Sequence, residues 1–383
     1  MCTSPLIRYR AKYVTPNSLG GSSSFTVESQ RVLEQRYGSY SAFKLYFDGN
    51  MDYQVIKCRH CSECRAEYAR DWAIRCANEF QIRGSASFIT LTIDSVKASL
   101  FNDEKNLKRY CKRCVKGNRY IKYPVDYTLC KGMLLDELKL MRDKLFKRYG
   151  IKIRYFGCGE YGSNGDRPHY HIIIFGYNFP DKKQVGTSKK GVPIYVSDEL
   201  SDMWKYGIST IQDCNFRACM YTAKYCLKKI KSNDDIVEYE QYYGREPEFL
   251  VMSKGNCQSN RCPYIDDIVK NCKGMKSLRD LNNPYCKSCD KTRGGIGYDW
   301  FLKYYRDVLK IGYMTVDGVK YPIPKYYLEL LKLTDSEMYD KYKLSSLERN
   351  EELKIKNFDE YSQARLDVRS KVLKSKLHHS SRL

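Results

Sequence analysis

The sequence contains few histidines and no long apolar run, and both scarcities narrow what the protein can be. No run of about 18 apolar residues occurs, so we expect no membrane-spanning segment. The opening residues, MCTSPLIRYRAKY, lack the apolar stretch of a secretion signal, which predicts a cytoplasmic protein. Only five histidines are present in 383 residues, so a closely spaced pair of them is informative.

Acidic residues are outnumbered by basic ones, and this imbalance predicts a polyanionic partner. Lys and Arg total 67 against 45 Asp and Glu, which leaves a formal charge of +22. Nucleic acid is the favoured partner because basic side chains displace the counterions that phosphates hold, although an acidic membrane surface would satisfy the same electrostatics. The hydrophobic content of 42% argues against general disorder. We therefore expect a folded protein that handles nucleic acid.

Cysteine is abundant, with 17 in the chain, and many of these stand close together. In a chain that is not secreted, such spacing favours zinc over disulfides. The candidate zinc ligands are Cys58, Cys61, Cys64, Cys111, Cys114, Cys286 and Cys289. For the first three, His60 or a cysteine from 111–130 would be the fourth ligand. The alternative is that these cysteines are free thiols in a reducing cytoplasm, packed as small hydrophobic side chains.

The rare histidine pair begins a segment typical of a buried strand, HYHIIIF at 169–175. Side chains at i and i+2 of a strand point to the same face, so His169 and His171 project together. Glu160 precedes the turn before this strand and would return opposite the pair as an oxygen ligand. Two imidazoles and a carboxylate with open positions suit Mg²⁺ or Mn²⁺ bound to a phosphate. The alternative is that the histidines only pack and form hydrogen bonds.

A second candidate element is the helix predicted over 216–231, which contains the sequence YTAKY. Helical spacing gives it one apolar stripe, formed by Phe216, Met220, Ala223 and Leu227. Tyr221 and Tyr225 fall on the opposite side, one turn apart, with Lys224 beside them. Tyrosine is a competent covalent nucleophile at phosphorus when a metal polarises the phosphate, and a nearby lysine can stabilise the charge of the transferring group.

Tyrosine is so common, with 35 in the chain, that this spacing alone identifies nothing. It recurs at three other places, which are Tyr9/Tyr13, Tyr123/Tyr127 and Tyr239/Tyr243. YRAKY at 9–13 even repeats the intervening Ala-Lys. The apolar stripe behind Tyr221 and Tyr225, and their position after the histidine strand, distinguish them from the other pairs. The basic residues that we expect to contact DNA are Lys228, Lys229 and Arg167.

The order of the predicted elements favours an α+β fold. They are a helix over 65–83, a strand over 88–93, a helix over 133–149, a strand over 151–157, a turn over 160–168, the histidine strand, a loop over 181–193 and the tyrosine helix. Strands joined by hairpins, with helices between them, indicate an antiparallel sheet with flanking helices.

Four regions are predicted along the chain. The first, 1–85, contains the cysteine cluster and a helix, and 86–232 is the catalytic core. An accessory region follows at 233–300 and includes a cysteine-rich insertion at 255–294. The last region, 301–383, is charged and helical.

Several motifs, taken together and in order, resemble a known family. It is the His-hydrophobe-His (HUH) endonucleases that initiate rolling-circle replication in the Microviridae, with the gokushovirus branch the most similar. The similar stretches are CRHCSEC with WAIRCANE, FITLTID, GEYGSNGDRPHYHIIIFG, W-x-x-G at Trp204 and Gly207, YTAKYCLKK, EFLVMSK and GGIGYDWFLKY. The last two look like one family block that the insertion interrupts.

The resemblance implies an HUH-type antiparallel sheet and a role for each candidate residue. The histidine pair and Glu160 would hold Mg²⁺ or Mn²⁺, and Tyr221 and Tyr225 would attack the origin strand with Lys224 assisting. Each attack would leave a 5′-phosphotyrosyl link and a free 3′-OH, and alternation between the tyrosines would release a unit-length circle. The implied partners are single-stranded phage-origin DNA and the host replication helicase and polymerase, in the cytoplasm of a host bacterium.

Two alternatives to this function stay open at the level of the sequence. One is a zinc-containing nucleic-acid-binding protein without chemistry, which the cysteine clusters and the charge favour. The other keeps the HUH chemistry but assigns it to a plasmid initiator, a relaxase or a transposase.

Overall fold

The computed structural model of the chain divides into two units. The described residues are 2–11, 25–94, 128–162, 167–188, 191–228, 246–253, 294–356 and 361–382. One unit consists of Met1–Tyr68 with Ser336–Leu383, and the other of Ala69–Asp335. The larger unit thus contains the histidine and tyrosine motifs. Among the described residues, no helix is both long enough and apolar enough to cross a membrane.

The helices and strands are numbered here in chain order. The described strands are β1 (Leu6–Ala11), β2 (Thr26–Ser29), β3 (Met51–Ile56), β4 (Ala86–Ile93), β5 (Arg154–Tyr161), β6 (Pro168–Phe175), β7 (Lys183–Thr187), β8 (Pro193–Val196), β9 (Gly207–Asp213), β10 (Phe249–Met252), β11 (Met314–Val316) and β12 (Val319–Tyr321). The described helices are α1 (Gln30–Tyr37), α2 (Tyr40–Asn50), α3 (Ser62–Arg83), α4 (Lys131–Tyr149), α5 (Asp198–Met203), α6 (Phe216–Lys228), α7 (Tyr298–Ile311), α8 (Lys325–Thr334), α9 (Ser336–Lys356) and α10 (Gln363–Arg382).

The smaller unit contains a three-stranded antiparallel sheet in the order β2-β1-β3. Its core is formed by Ile7, Leu33, Phe43 and Phe47, which come from β1, α1 and α2. Both of these helices begin with a serine cap. Ser29 accepts a hydrogen bond from the backbone of Val32, and Ser39 accepts one from Ala42. The region therefore folds around an apolar centre of its own.

The larger unit is built on an antiparallel sheet in which seven described strands follow the order β10-β5-β6-β4-β9-β8-β7. Strand β6 lies between β5 and β4 and is antiparallel to both. Residues 172–175, an apolar run that suits an interior strand, are fully buried. The prediction of an α+β fold with an antiparallel sheet is confirmed.

Side-chain alternation along β6 divides the core of this unit into two layers. Tyr170, Ile172 and Ile174 share one layer with α4, whose buried stripe consists of Leu134, Leu138, Met141 and Leu145. Ile173 and Phe175 share the other layer with α3 and α6. Full burial of such a side chain stabilises the fold by about 1.5–3 kcal/mol. The helices on both faces therefore hold β6 in place.

Two predicted segments differ in the structure. Strand β5 continues as far as Tyr161, so Glu160 lies on the strand and not in the turn, because pairing with β6 extends to Tyr161 and Pro168. The segment 181–193, predicted as a loop, forms most of the β7–β8 hairpin. Strand β7 is exposed throughout, so no apolar alternation marks it in the sequence.

The two halves of the interrupted motif block lie in this same unit. FLVM forms β10 at the edge of the sheet, where it pairs with β5. Residues 294–301 pack on α3 through the buried carboxylate of Glu79, which accepts a 2.8 Å hydrogen bond from the backbone of Gly297. Arg154 lies 3.4 Å from the same carboxylate and donates to the carbonyl of Gly294 at 2.8 Å. These partners offset the cost of burying the charge of Glu79.

Candidate active site

The histidine pair lies near the beginning of the interior strand β6. His169 pairs in register with Thr92 of β4 and with Glu160 of β5, and His171 pairs with Thr90 of β4. Alternation places both imidazoles on the sheet face that α3 and α6 cover further along. Their ring centroids are 6.3 Å apart.

Two threonines of β4 hold these imidazoles. Thr90 Oγ1 lies 3.0 Å from His171 Nδ1, and Thr92 Oγ1 lies 3.1 Å from His169 Nδ1. Such bonds fix the orientation of a ring and direct its Nε2 atom away from β4. Sequence reasoning missed both threonines. Their own i, i+2 spacing in FITLTI was the available signal, but only the strand register shows which residues they meet.

Glu160 reaches diagonally from β5 to the second histidine. Its Oε1 atom lies 2.7 Å from His171 Nε2, and both residues are buried, with 6% and 8% of their surface exposed. Burial is the main cause that lowers the pKa of His169, and the neighbouring His171 lowers it further, while Glu160 acts in the opposite direction. His169 is therefore neutral at pH 7, which is the form of imidazole that binds metals.

The three candidate ligands are adjacent, but their donor atoms are not gathered at one point. Among the residues that the structure describes, the one group of three or more possible ligand atoms lying within 4.8 Å of one another consists of cysteines. His169 is the outlying member, since His171 and Glu160 are already 2.7 Å apart. A Cβ on Gly162 would come within 2.7 Å of His169 Nε2. Glycine at that position therefore leaves this nitrogen room to move.

Tyr221 projects from α6 onto the histidine face of the sheet. Its ring meets the ring of His171 edge-on, with 5.3 Å between centroids, and that of Phe88 at 6.1 Å. Phe88 also stacks on the ring of His171 at 5.6 Å. With 41% of its surface exposed, Tyr221 is both beside the histidines and open to solvent.

Helix α6 is seated on the sheet by small side chains. Cys219, Thr222 and Ala223 are fully buried, whereas Phe216 and Met220 are partly buried at the margin. The buried face is therefore rotated away from the stripe predicted from the sequence. Small side chains let the helix approach the strands closely, whereas the predicted stripe depended on the larger apolar residues.

The remaining candidates near this helix are described only in part. Tyr225, Lys224 and Lys228 lie in α6, but their side chains fall outside the described part of the chain, as does the whole of Lys229. Arg167 is exposed immediately before β6, and its charge contributes to lowering the pKa of the first histidine.

The competing YRAKY motif begins on a strand and not on a helix. Tyr9 lies on β1, where its phenol donates a hydrogen bond to Glu28 and its ring meets Phe47 edge-on at 4.9 Å. Burial and the contact with Glu28 raise the pKa of Tyr9, which disfavours a phenolate there. Tyr13 and the pairs at 123/127 and 239/243 lie outside the described residues.

The W-x-x-G motif supports the strand that carries the threonines. Trp204 is buried, and its Nε1 atom donates to the carbonyl of Thr92 at 3.1 Å. A Cβ on Gly207 would lie 2.1 Å from that same carbonyl oxygen and 2.6 Å from the backbone nitrogen of Asp94. Glycine is thus required for β9 to pair with the end of β4.

A cysteine cluster lies in the smaller unit, apart from the histidine motif in sequence. The Sγ atoms of Cys2, Cys58, Cys61 and Cys64 all lie within 4.8 Å of one another. The expectation that His60 or a cysteine from 111–130 completes this group is wrong, because Cys2 fills the fourth place through the pairing of β1 with β3. The candidate ligands Cys111, Cys114, Cys286 and Cys289 lie outside the described residues.

The fold and the site define an α+β protein in which an interior antiparallel strand carries two histidines beside a carboxylate and a tyrosine. Residues 86–230 match the family model of the replication-associated protein ORF2 family. This match covers both the histidine strand and the tyrosine helix. No solved structure matches the chain.

Curated relatives carry the same description. The chain is 26% identical over 289 residues to replication-associated protein VP4 of Bdellovibrio phage phiMH2K, which covers 75% of this chain and 71% of the relative. It is 30% identical over 218 residues to replication-associated protein ORF2 of Spiroplasma virus 4, 55% of this chain and 58% of that protein. For replication-associated protein ORF4 of Chlamydia phage 1 the identity is 24%, over 74% of this chain and 55% of that protein. The resemblance to replication proteins of Microviridae-type phages is confirmed.

Proposed function

We propose that this protein initiates rolling-circle replication of a phage genome by nicking and rejoining single-stranded origin DNA. The observation that carries the proposal is the contact of the Tyr221 ring with His171, whose Nε2 atom lies 2.7 Å from Glu160. A nucleophile of the required type therefore stands beside the candidate metal ligands. The similarity to phage replication-associated proteins supports the same function.

The residues present fit a divalent cation. His171 and Glu160 already stand at a separation that one ion can bridge, and His169 would join them by a change of its side-chain rotamer. With Nδ1–H of each imidazole donating to its threonine, Nε2 carries the lone pair that binds a metal. Mg²⁺ or Mn²⁺ in this site would act as a Lewis acid on the scissile phosphate.

The proposed reaction is an in-line displacement at phosphorus. The phenol oxygen of Tyr221 or Tyr225 forms a bond to phosphorus as the bond from phosphorus to the 3′ oxygen breaks. The phenol proton is lost to solvent, and the departing oxygen takes up a proton to become a free 3′-OH. The products are a 5′-phosphotyrosyl enzyme and a strand end that a host polymerase can extend. Lys224 would stabilise charge on the transferring phosphate.

Two tyrosines on one helix permit the reverse reaction to be separated from the first. While one phenol holds the 5′ end, the other can attack the regenerated origin, and the free 3′-OH can then close the circle. Arg167, Lys228 and Lys229 would hold the strand by its phosphates. The host replication helicase and polymerase are the proposed partners, in the cytoplasm of the host bacterium.

A covalent adduct on a denaturing gel tests the proposal. Full-length protein is incubated with Mn²⁺ and 3′-fluorescent single-stranded oligonucleotides that tile the genome encoding it. We expect one oligonucleotide to yield a labelled protein band. The Tyr221→Phe/Tyr225→Phe double variant should lose this band, and the Tyr9→Phe control should keep it. Absence of any adduct across the tiling set, with binding of the oligonucleotides intact, would contradict the proposal.

That last outcome would instead favour the second candidate function, a zinc-containing nucleic-acid-binding protein without chemistry. The four-cysteine cluster and the charge of +22 are the observations that favour it. A plasmid or transposon nuclease would form the adduct as well. It would differ in the DNA that it cuts, since no oligonucleotide from a phage origin would be a substrate.

A further inference from the structure

We propose that Cys2, Cys58, Cys61 and Cys64 bind one structural Zn²⁺ ion in the smaller unit. The proposal does not depend on the nicking chemistry. All four Sγ atoms lie within 4.8 Å of one another, and that of Cys2 is 3.5 Å from Cys58 Sγ and 3.7 Å from Cys61 Sγ. Tetrahedral Zn–S bonds of about 2.3 Å place the sulfurs about 3.8 Å apart. The present spacing already suits the ion.

The backbone around these sulfurs is arranged as a ligand-holding turn. The backbone nitrogen of Cys61 donates to Cys58 Sγ at 3.3 Å, and that of Cys58 donates to Cys2 Sγ at 3.4 Å. Such donors offset the negative charge of metal-bound thiolates. Arg59, between the first two cysteines of the turn, has a φ of 65°, which is rare for a residue with a side chain. A conformation of that kind persists where several interactions enforce it.

The distances exclude the other usual states of clustered cysteines. A disulfide requires sulfurs about 2.05 Å apart, and these four are free cysteines. Sulfurs this close surround a single ion, whereas an iron–sulfur cluster would hold them farther apart. Four protein ligands also complete the tetrahedral shell of zinc. No position is left for a substrate, so the ion is structural and not catalytic.

The ion would join two distant parts of the chain. Cys2 precedes β1, while the other three cysteines follow β3 and open α3. Strands β1 and β3 pair, with Leu6 opposite Ile56, so the metal would close the end of that pair. The neighbouring carbonyl of Thr3 accepts a 2.9 Å hydrogen bond from Gln363 of α10. Metal binding therefore stabilises the segment to which the C-terminal helix of this unit attaches.

Metal content of the purified full-length protein tests the proposal. Wild type, Cys2→Ala and Cys76→Ala are prepared under reducing conditions and analysed by elemental mass spectrometry. Cys76 is a buried cysteine outside the cluster, so its variant is the matched control. We expect Cys2→Ala to contain one equivalent of zinc less than the other two. Equal zinc in wild type and Cys2→Ala would overturn the proposal, and an equivalent of iron in its place would overturn the choice of metal.

A measurement on the wild type keeps the test decisive if Cys2→Ala does not fold. Iodoacetamide labelling followed by peptide mass spectrometry reports each of the four thiols separately. We expect slow labelling of all four, and rapid labelling of all four together once a zinc chelator is added. Rapid labelling before the chelator, or a disulfide-linked peptide pair among them in reduced protein, would overturn the proposal.

Discussion

Single side chains already show a division of work at the site. Tyr221, His171 and Glu160 are consecutive neighbours, with 5.3 Å between the two rings and 2.7 Å between His171 Nε2 and Glu160 Oε1. Thr90 and Thr92 lie behind the imidazoles and hold their Nδ1 atoms. The threonines would not touch DNA or metal. They act by positioning the residues that do, and their loss is expected to affect metal affinity more than DNA binding.

Replacement of Thr90 by valine tests this positioning role. Thr90→Val keeps the shape of the side chain but removes its bond to His171 Nδ1. We expect the Mn²⁺ concentration for half-maximal adduct formation to rise by about 10–100-fold, the usual effect of losing such a partner. Binding of oligonucleotide without metal should be unchanged. The control is Thr210→Val, directly opposite Thr90 on β9. Equal Mn²⁺ requirements in wild type and Thr90→Val would contradict the role.

Among the secondary-structure elements, the pairing of β4 with β9 determines where the threonines lie. Trp204 bonds to the carbonyl of Thr92, and Gly207 admits that carbonyl at a distance that no Cβ tolerates. The W-x-x-G motif is therefore a packing motif that serves the site indirectly. Its tryptophan and its glycine act on the same atom of β4.

A pair of glycine substitutions separates this close approach from a general effect of alanine. In Gly207→Ala the new Cβ meets backbone atoms, so β9 must shift, and we expect a loss of about 1–3 kcal/mol in the free energy of unfolding. Gly186→Ala on the exposed β7 meets nothing within 4 Å and should stay within about 0.5 kcal/mol of wild type. Urea unfolding measures both. Equal stabilities of the two variants would show that β4 and β9 adjust without cost.

For the whole molecule, the charge of +22 predicts how the protein binds DNA. Binding through phosphates releases counterions, so the affinity for single strands falls with salt at a slope of about −0.7 per phosphate contact. For about five contacts, the affinity should fall roughly 100-fold between about 50 and 200 mM salt. Fluorescence anisotropy of a labelled oligonucleotide measures this slope. A slope near zero would show that the basic surplus does not serve DNA binding.

Arg167 is the described basic residue that we expect to contribute to this slope. Arg167→Ala should reduce its magnitude by about 0.7, the value for one phosphate contact. The matched control is Arg142→Ala, an exposed arginine on α4, the helix that covers the opposite face of the sheet. Equal slopes for the two variants would remove Arg167 from the DNA path.

Local pattern was informative where a regular element faces one neighbour. The stripe on α4 and its end at Gly150, whose φ is 68°, agree with the helix predicted over 133–149. The stripe on α6 was misassigned because its buried face uses cysteine, threonine and alanine, which hydropathy ranks below phenylalanine and methionine. Strand β7 was missed because it buries nothing.

The sequence by itself determined that His169 and His171 share a face, because strand alternation is a local property of the backbone. It also determined the basic surplus and the resemblance to phage replication proteins. Only the tertiary structure decided that Thr90 meets His171, 81 residues away, and that Cys2 lies beside Cys58, 56 residues away. Those contacts depend on strand register and on pairing between distant segments, which no local pattern specifies.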